Sequence, residues 1–547
     1  MNTQEIMKFC LEKGFLLDKE VLTLFNDTPD VEAVKLIIER IKDTTNQRII
    51  TKALFNQNKE KVVQIFSMLP KEDQIQLEGL KIKLGLSIEI SKESSLPNNQ
   101  TKNSKEAEIA ESEGVKILSL PFIINSKKLE VGDFTKYFRN RVLELKKILQ
   151  ENPSLKNLVS INKLSSTRQN FSIIGIVSSK TITKNKNVLL EIEDLTGSIK
   201  VLISPQNKEV YEKAEEICLD SVLGFSGFGS REILFSSNLV FPDSTLPERK
   251  KSPLEEYALF IGDVHYGSKL FLEESFLKFI DYLNGKVPNT PEVSKIKYLF
   301  LVGDLVAGVG TYPAQEKDLK VKDIEEQFLG LSKLLSKIRK DIKLIISPGN
   351  HDGVRLMEPQ PPLNEKFAWS IYNLPNVILT CNPSLVNIGS TKYFSGLDVL
   401  TYHGVSFHYY ANLIPKLISK KALNNAPNEI MAYLLQHRHL APSHASTQYF
   451  PAEEDPLIIK KIPDIMVSGH THKSAVAYYN NILIISLSSW ESKTPYQEKM
   501  GNNPDFCKVP MLNLKTRNLK ILDFEEEKKI EEISEANMEE VKKGEAK

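Results

Sequence analysis

No histidine occurs in the first 264 residues of this 547-residue chain; all nine lie between His265 and His472. Imidazole is the commonest side-chain metal ligand and acid/base group near neutral pH, so this skew directs the search for chemistry to the second half. Cysteine is scarce too. The four (Cys10, Cys218, Cys381, Cys507) stand far apart and form no CxxC pair. That speaks against a disulfide framework or a cysteine-zinc site, and for reduced thiols in a cytoplasmic protein. Charge of either sign is not in excess: 71 Lys+Arg against 70 Asp+Glu leave +1. Nucleic-acid binding therefore has to use local patches rather than a whole-chain field. No apolar run approaches ~18 residues, and the start MNTQEIMKFCLEKG lacks a basic region followed by an apolar core, so neither membrane spanning nor secretion is expected. A Walker A run or other nucleotide-cradling glycine loop is missing as well.

What is present is a globular composition, 41% hydrophobic and 26% charged, at a length that predicts about two to four domains. Residues 1–90 read as a helical domain: Ile6, Met7, Cys10 and Leu11 share a stripe, and Val31, Val34, Ile37, Ile38 and Ile41 follow Asp30, a candidate N-cap. Residues 91–114 are polar, with only Leu96 and Ile109 as large aliphatic residues, and 91–130 is expected to be a flexible linker. Residues 131–167 read as a helical connector, with Arg139, Arg141, Lys146 and Lys147 as a solvated face. Over 168–245 the period changes to short β-rich runs, five strands with a helix after the third, the pattern of an OB-fold barrel. Such a barrel serves single-stranded nucleic acid or a protein partner equally well. From 255 to 525 strands alternate with helices, as in an α/β domain, and 526–547 is a charged tail. The fold class expected is multidomain α/β.

Five apolar runs in the 255–525 region end at a Gly-flanked Asp, Asn or His: YALFIGDVHYG (257–267), KYLFLVGDLVAG (297–308), LIISPGNHDGVR (344–355), DVLTYHG (398–404) and PDIMVSGHTH (463–472). The carboxyl ends of strands are where ligands gather in α/β sheets. Asp263 and His265, like His470 and His472, are two apart, so an extended backbone points both side chains the same way. The donors are Asp263, His265, Asp304, Asn350, His403, His470 and His472, with His351 set aside. Such a set suits two metal ions that share one carboxylate, for which Asp304 is the natural choice. Oxygen and nitrogen donors without thiolate favour Mn²⁺, Fe or Zn²⁺ over Ca²⁺. Two such ions about 3.5–4 Å apart can hold a bridging hydroxide and neutralise a phosphate through an in-line displacement.

The order D-x-H, GD, GNHD, a later H and GHxH resembles the signature of the calcineurin-like metallophosphoesterases, including the Mre11 nucleases. The resemblance implies their β-sandwich flanked by helices. It also implies that one metal takes Asp263, His265, Asp304 and His472 while the other takes Asp304, Asn350, His403 and His470. His351 corresponds to the family's non-ligand histidine, which assists the leaving oxygen, and Asp352 is expected to orient it. The runs GNHDGVRLMEPQPPL (349–363), LLQHRHLAPSH (434–444) and FPAEEDPLIIKKIPDIMVSGHTH (450–472), with an OB-like domain ahead of them, are similar to the small subunit of archaeal family-D DNA polymerase. The similarity covers roughly residues 130–525. It implies a Mn²⁺-favoured 3′→5′ exonuclease for proofreading in DNA replication, which hydrolyses terminal phosphodiesters of DNA with a 3′ single-stranded end by a metal-bridging hydroxide. It further implies a heterodimer with a large catalytic subunit. Arg355, Arg438 and His439 are candidates for holding the substrate strand, while His408, His437 and His444 have no spacing that compels a role. Two alternatives stand beside this reading: a non-catalytic assembly subunit with a vestigial site, and a stand-alone Mre11-like nuclease or phosphodiesterase.

Overall fold

A run such as YLFLV, with no polar residue at every second place, has to be covered on both faces. A computed structural model of the chain shows how this is done. It describes residues 128–499 and 501–525, and earlier in the chain residues 8–10, 13, 16–18, 21, 49–50, 111–112 and 114–119. The helical domain expected over 1–90 and the tail expected over 526–547 lie outside the described residues, apart from fragments such as the parallel pair Leu16–Leu17 and Ile49–Ile50.

In chain order, strand β1 (Val115–Ile117) and helix α1 (Val131–Gln150) precede a closed barrel. The barrel consists of β2 (Gln169–Ile182), β3 (Val188–Asp194), β4 (Gly197–Ile203), helix α2 (Lys208–Glu215), β5 (Val222–Gly229) and β6 (Ile233–Val240). Its strands close in the order β2-β3-β4-β6-β5. Alternate residues such as Leu190, Ile192, Val201, Ile203 and Phe225 fill the interior.

Two further sheets follow. The first runs β7 (Tyr257–Ile261), β8 (Ile296–Val302), β9 (Lys343–Ser347) and β10 (Val377–Leu379), all parallel. The second is built on β11 (Ser384–Ile388), β12 (Leu397–Thr401), β13 (Ile465–Ser468), β14 (Ala475–Tyr479) and β15 (Ile482–Ser486). In it β12, β13 and β15 are parallel neighbours. Strands β16 (Lys508–Asn513) and β17 (Leu519–Asp523) extend the first sheet antiparallel to β7.

Strand alternation then distributes the apolar runs. Ala258, Phe260, Phe300, Val302 and Ile345 face Val386, Val399, Val467 and Ile485 of the other sheet. Their neighbours Leu259, Ile261, Leu299, Leu301, Leu344 and Ile346 pack on Phe276, Phe279, Phe328 and Leu331 of the covering helices. Leu400, Met466 and Ile484 do the same on the far side, against Phe407, Tyr410, Met431 and Leu434. Each such side chain contributes about 1.5–3 kcal/mol by leaving water. The result is helix, sheet, sheet, helix. No helix among the described residues is long and apolar enough to cross a membrane.

Two expectations are corrected. Within the stretch 91–130 read as linker, Val115–Ile117 pairs antiparallel with β11, Val386 opposite Ile117, and Val115 is buried in the core between the sheets. The polar stretch ends at Gly114, and Val115–Ile117, which an open sheet edge takes up, begin the apolar run VKILSLPFII (115–124). Arg141, read as part of a solvated face, is 1% exposed. Its Nε donates to Asp455 Oδ2 at 2.7 Å and an Nη donates to the Pro442 carbonyl.

Asp455 is in turn saturated. Its Oδ1 accepts from Tyr137 Oη (2.7 Å) and the Leu457 N–H (3.0 Å), and its Oδ2 also meets His439 Nε2 at 2.8 Å. His439 Nδ1 accepts from the Ala441 N–H, so the proton sits on Nε2 and the ring is neutral. Burial, with Arg141 nearby, pushes His439 down to about 4, and burial does the same to His437. Burial alone raises Asp455, but His439 and Arg141 outweigh it and hold the carboxyl well below its usual range.

The sign of the pH response follows. Both rings titrate near 6.5 when exposed, so between about pH 6.5 and about pH 4 the unfolded chain binds more protons than the fold. Stability falls on acidification through that window by about 1.4 kcal/mol per pH unit for each ring. Urea midpoints measured from pH 7 down to pH 4.5 are expected to drop steadily; a flat profile contradicts the neutral rings. Asp455→Ala, which leaves the Arg141 charge buried and unpaired, is expected to cost about 3–5 kcal/mol in the same assay.

Candidate metal centre

Both sheets present carboxyl ends to the same edge. Asp263 and His265 follow β7, Asp304 follows β8, Asn350 and His351 follow β9, His403 follows β12, and His470 and His472 follow β13. Five of the seven sequence-predicted ligands hold left-handed backbone: Asp263 (φ 49°), His265 (50°), Asp304 (49°), His470 (68°) and His472 (54°). Each costs about 1 kcal/mol or more in a non-glycine residue, and the neighbouring loops hold them there. The His265 N–H donates to the Asp304 carbonyl at 3.0 Å, and the His470 N–H to the Asp263 carboxylate at 2.9 Å. Gly303 is needed for both reasons a glycine can be: its φ is +74°, and a Cβ there would stand 2.1 Å from His403 Nδ1. A Cβ on Gly349 would stand 2.3 Å from Asp304 Oδ1.

The side chains converge. Asp263, His265 and His472 bring their donor atoms within 4.8 Å of one another, and so do Asp304, His403 and His470. Asp304 joins the two groups. Its Oδ1 accepts the His351 N–H at 2.9 Å, while Oδ2 faces three imidazoles, 3.2 Å from His403 Nε2 and 3.9 Å from both His265 and His351 Nε2. Asn350 Oδ1 lies 3.0 Å from His403 Nε2. His265 and His472 Nε2 are 3.1 Å apart, and His472 Nε2 is 3.5 Å from Asp263 Oδ1.

His351 differs from the ligand group. Its Nδ1 donates to the Ala307 carbonyl at 2.7 Å, which leaves Nε2 turned toward Asp304. Asp352, expected to orient that ring, instead accepts the Gly349 N–H on Oδ2 and the Leu305 and Val306 N–H groups on Oδ1. It ties the Asn350 loop to the Asp304 loop. The candidate strand-holding groups are taken up by the fold. Arg355 donates to the Met357 and Pro359 carbonyls, Arg438 to those of Ile459 and Lys460, and His439 serves the Asp455 network. Two contacts escaped the sequence reading. Gln497 Nε2 is 3.0 Å from His472 Nδ1, and the ring of His408 packs on His470. Gln497 lies in no motif, and only the fold brings it to His472.

The chemistry of the donor set fits divalent cations. Lone pairs converge in a buried space, and His403 Nδ1 is itself buried without a partner. Among protein groups alone, the carboxylates have to hold protons there. Burial pushes His403 and His472 down, but Asp304 and Asp263 outweigh it and raise both, His403 to about 9; burial pushes His265 and His470 well below the usual imidazole range. Cations displace such protons, so binding weakens as pH falls. Manganese is expected to raise the unfolding temperature, with a stabilisation of about 2.7 kcal/mol at a concentration 100 times Kd. Asp304→Asn is expected to lose that response while still unfolding cooperatively; an undiminished response removes Asp304 from the ligand group.

Residues 258–477 match the family of the B subunits of DNA polymerases alpha and epsilon. The chain is 38% identical over 404 residues to the DNA polymerase II small subunit of Pyrococcus furiosus, covering 72% of this chain and 64% of that protein. It is 36% identical over 399 residues to the protein of that name from Methanothermobacter thermautotrophicus, covering 72% and 80%. The aligned stretch thus spans less than two thirds of the Pyrococcus protein's own length. A solved archaeal phosphodiesterase aligns with 49% of this chain and 98% of its own at 13% identity and a TM-score of 0.25. By its similarity to these archaeal proteins along most of its length, the chain belongs to the family of DNA polymerase II small subunits.

Proposed function

We propose that this chain is the small subunit of a replicative archaeal family-D DNA polymerase and that its metal centre is a 3′→5′ exonuclease acting on 3′ single-stranded DNA ends, with a separate large catalytic subunit as partner in a heterodimer. The closed five-stranded barrel is read as an OB-type module that docks the partner or the DNA, and the setting as cytoplasmic. The observation that carries the hydrolytic reading is Asp304 Oδ2, faced by three imidazoles from three different loops.

Two divalent cations, Mn²⁺ by preference, would be held by Asp263, His265, Asp304 and His472 and by Asp304, Asn350, His403 and His470. When bound, they supply positive charge at the phosphate and acidify water. The chain's own residues do the rest. Ala307 fixes His351 with Nδ1–H bonded away, so an imidazolium at this position presents its second proton, on Nε2, to the centre. That proton goes to the 3′ oxygen as its bond to phosphorus breaks. Asp352 keeps His351 and Asp304 in register by holding both loops, and Gln497 sets the ring plane of His472.

His351→Ala is expected to lower degradation of a 3′ single-stranded end by about 10²–10⁴-fold while the protein keeps its manganese-induced stabilisation and its partner. On bis-p-nitrophenyl phosphate, whose leaving group departs without a proton, the loss is expected to be much smaller. Equal degradation of the DNA end by mutant and parent puts the non-catalytic assembly reading ahead.

A further inference from the structure

Five of the nine histidines are accounted for by the centre, and His437, His439 and His444 are engaged within the fold, His444 through Tyr449 at 2.6 Å. His408 remains. It lies in the first turn of the helix Phe407–Leu413, which directly follows the His403 loop. Its ring stands edge-on to that of His470, with centroids 5.3 Å apart and planes at 82°. On the other side of the centre His351 stands on His265 in the same way, at 4.9 Å and 85°. Each group of ligands therefore carries one imidazole outside the ligand set.

The two differ in how they are held. His351 is anchored through Nδ1, whereas His408 is exposed, and among the described residues no side-chain hydrogen bond holds its ring; its backbone carbonyl accepts from Asn412 Nδ2. A ring locked in one tautomer suits proton transfer. An exposed ring that can turn either nitrogen outward suits binding, because neutral imidazole offers one donor and one acceptor. A phosphodiester seated between the ligand groups has to leave the centre past its edges, and the edge beside His403 and His470 is where His408 projects.

We propose that His408 is a substrate-positioning residue that hydrogen-bonds a phosphate or sugar oxygen of the nucleotide next to the scissile linkage. The proposal rests on the hydrolytic reading of the centre. A ring that only packed on His470 would act through the metal site and would weaken every substrate alike.

The test uses the full-length chain loaded with manganese. Binding of a fluorescein-labelled single-stranded trinucleotide with phosphorothioate linkages is followed by anisotropy, and metal content is measured on the same samples. His408→Ala is expected to retain manganese and to raise Kd by about ten-fold, the scale of one hydrogen bond to a charged group. KM for the unmodified trinucleotide is expected to rise in parallel, with kcat changing much less and with a smaller effect on bis-p-nitrophenyl phosphate. His408→Gln, which keeps a donor and an acceptor, is expected to recover part of the binding. An unchanged Kd overturns the proposal, as does loss of manganese together with equal losses on both substrates. Binding is read apart from turnover: a parent that binds the trinucleotide without cleaving it removes the exonuclease reading, while the shift in Kd still decides the role of His408.

Discussion

The arrangement turns on one carboxylate. Asp304 uses one oxygen to hold the backbone of His351 and turns the other toward imidazoles from the β7, β9 and β12 loops. A buried carboxylate in that position is stable only if positive charge comes to it, from protons or from cations. The left-handed backbone at Asp263, His265, His470 and His472, and the missing Cβ atoms at Gly303 and Gly349, are what it takes to bring those groups so close. Local strain at the loops is balanced by the two-sheet core, whose strands end within reach of one another and leave the loops little freedom.

Much of this could be read from the sequence because two signals coincide. Strands buried on both faces appear as unbroken apolar runs, and polar residues flanked by glycine at their ends stand out against them. Asp263, His265, Asp304, Asn350, His403, His470 and His472 carry both signals, and the fold gathers them. Residues that join the centre only through tertiary contact carry neither. Gln497 sits in a single helical turn with no periodicity, and His408 follows a helix start. Arg438 and His439 misled for a related reason: a basic doublet beside a histidine looks like a strand-binding patch until its donors are found on backbone carbonyls and on Asp455.

Arg141 shows the limit of reading a helix face by charge. On α1 it shares a face with Tyr137, Val142, Leu145 and Leu149, all buried, and its partner Asp455 lies more than 300 positions away in the sequence. A one-dimensional pattern registers a cation among apolar residues but cannot register the anion that makes burial tolerable. The same network shows why histidines close in sequence need not share a task. His437 and His439 are kept neutral by the interior, whereas the centre draws on imidazoles from strand ends.

Strand β1 alters the topology of the molecule. Because Val115–Ile117 joins the same sheet as β11 and β12, the barrel is not appended at one end; it is an insertion between two pieces of a single body. Its entry is clamped by α1 through Arg141, and its exit segment, bonded through Asp243 and Ser244 to Tyr479 and Leu435, leads on to β7. A module fixed at both ends cannot swing as a pendant would, so the barrel keeps a set distance from Asp304, and cutting the chain after residue 117 would free one of its two fixings.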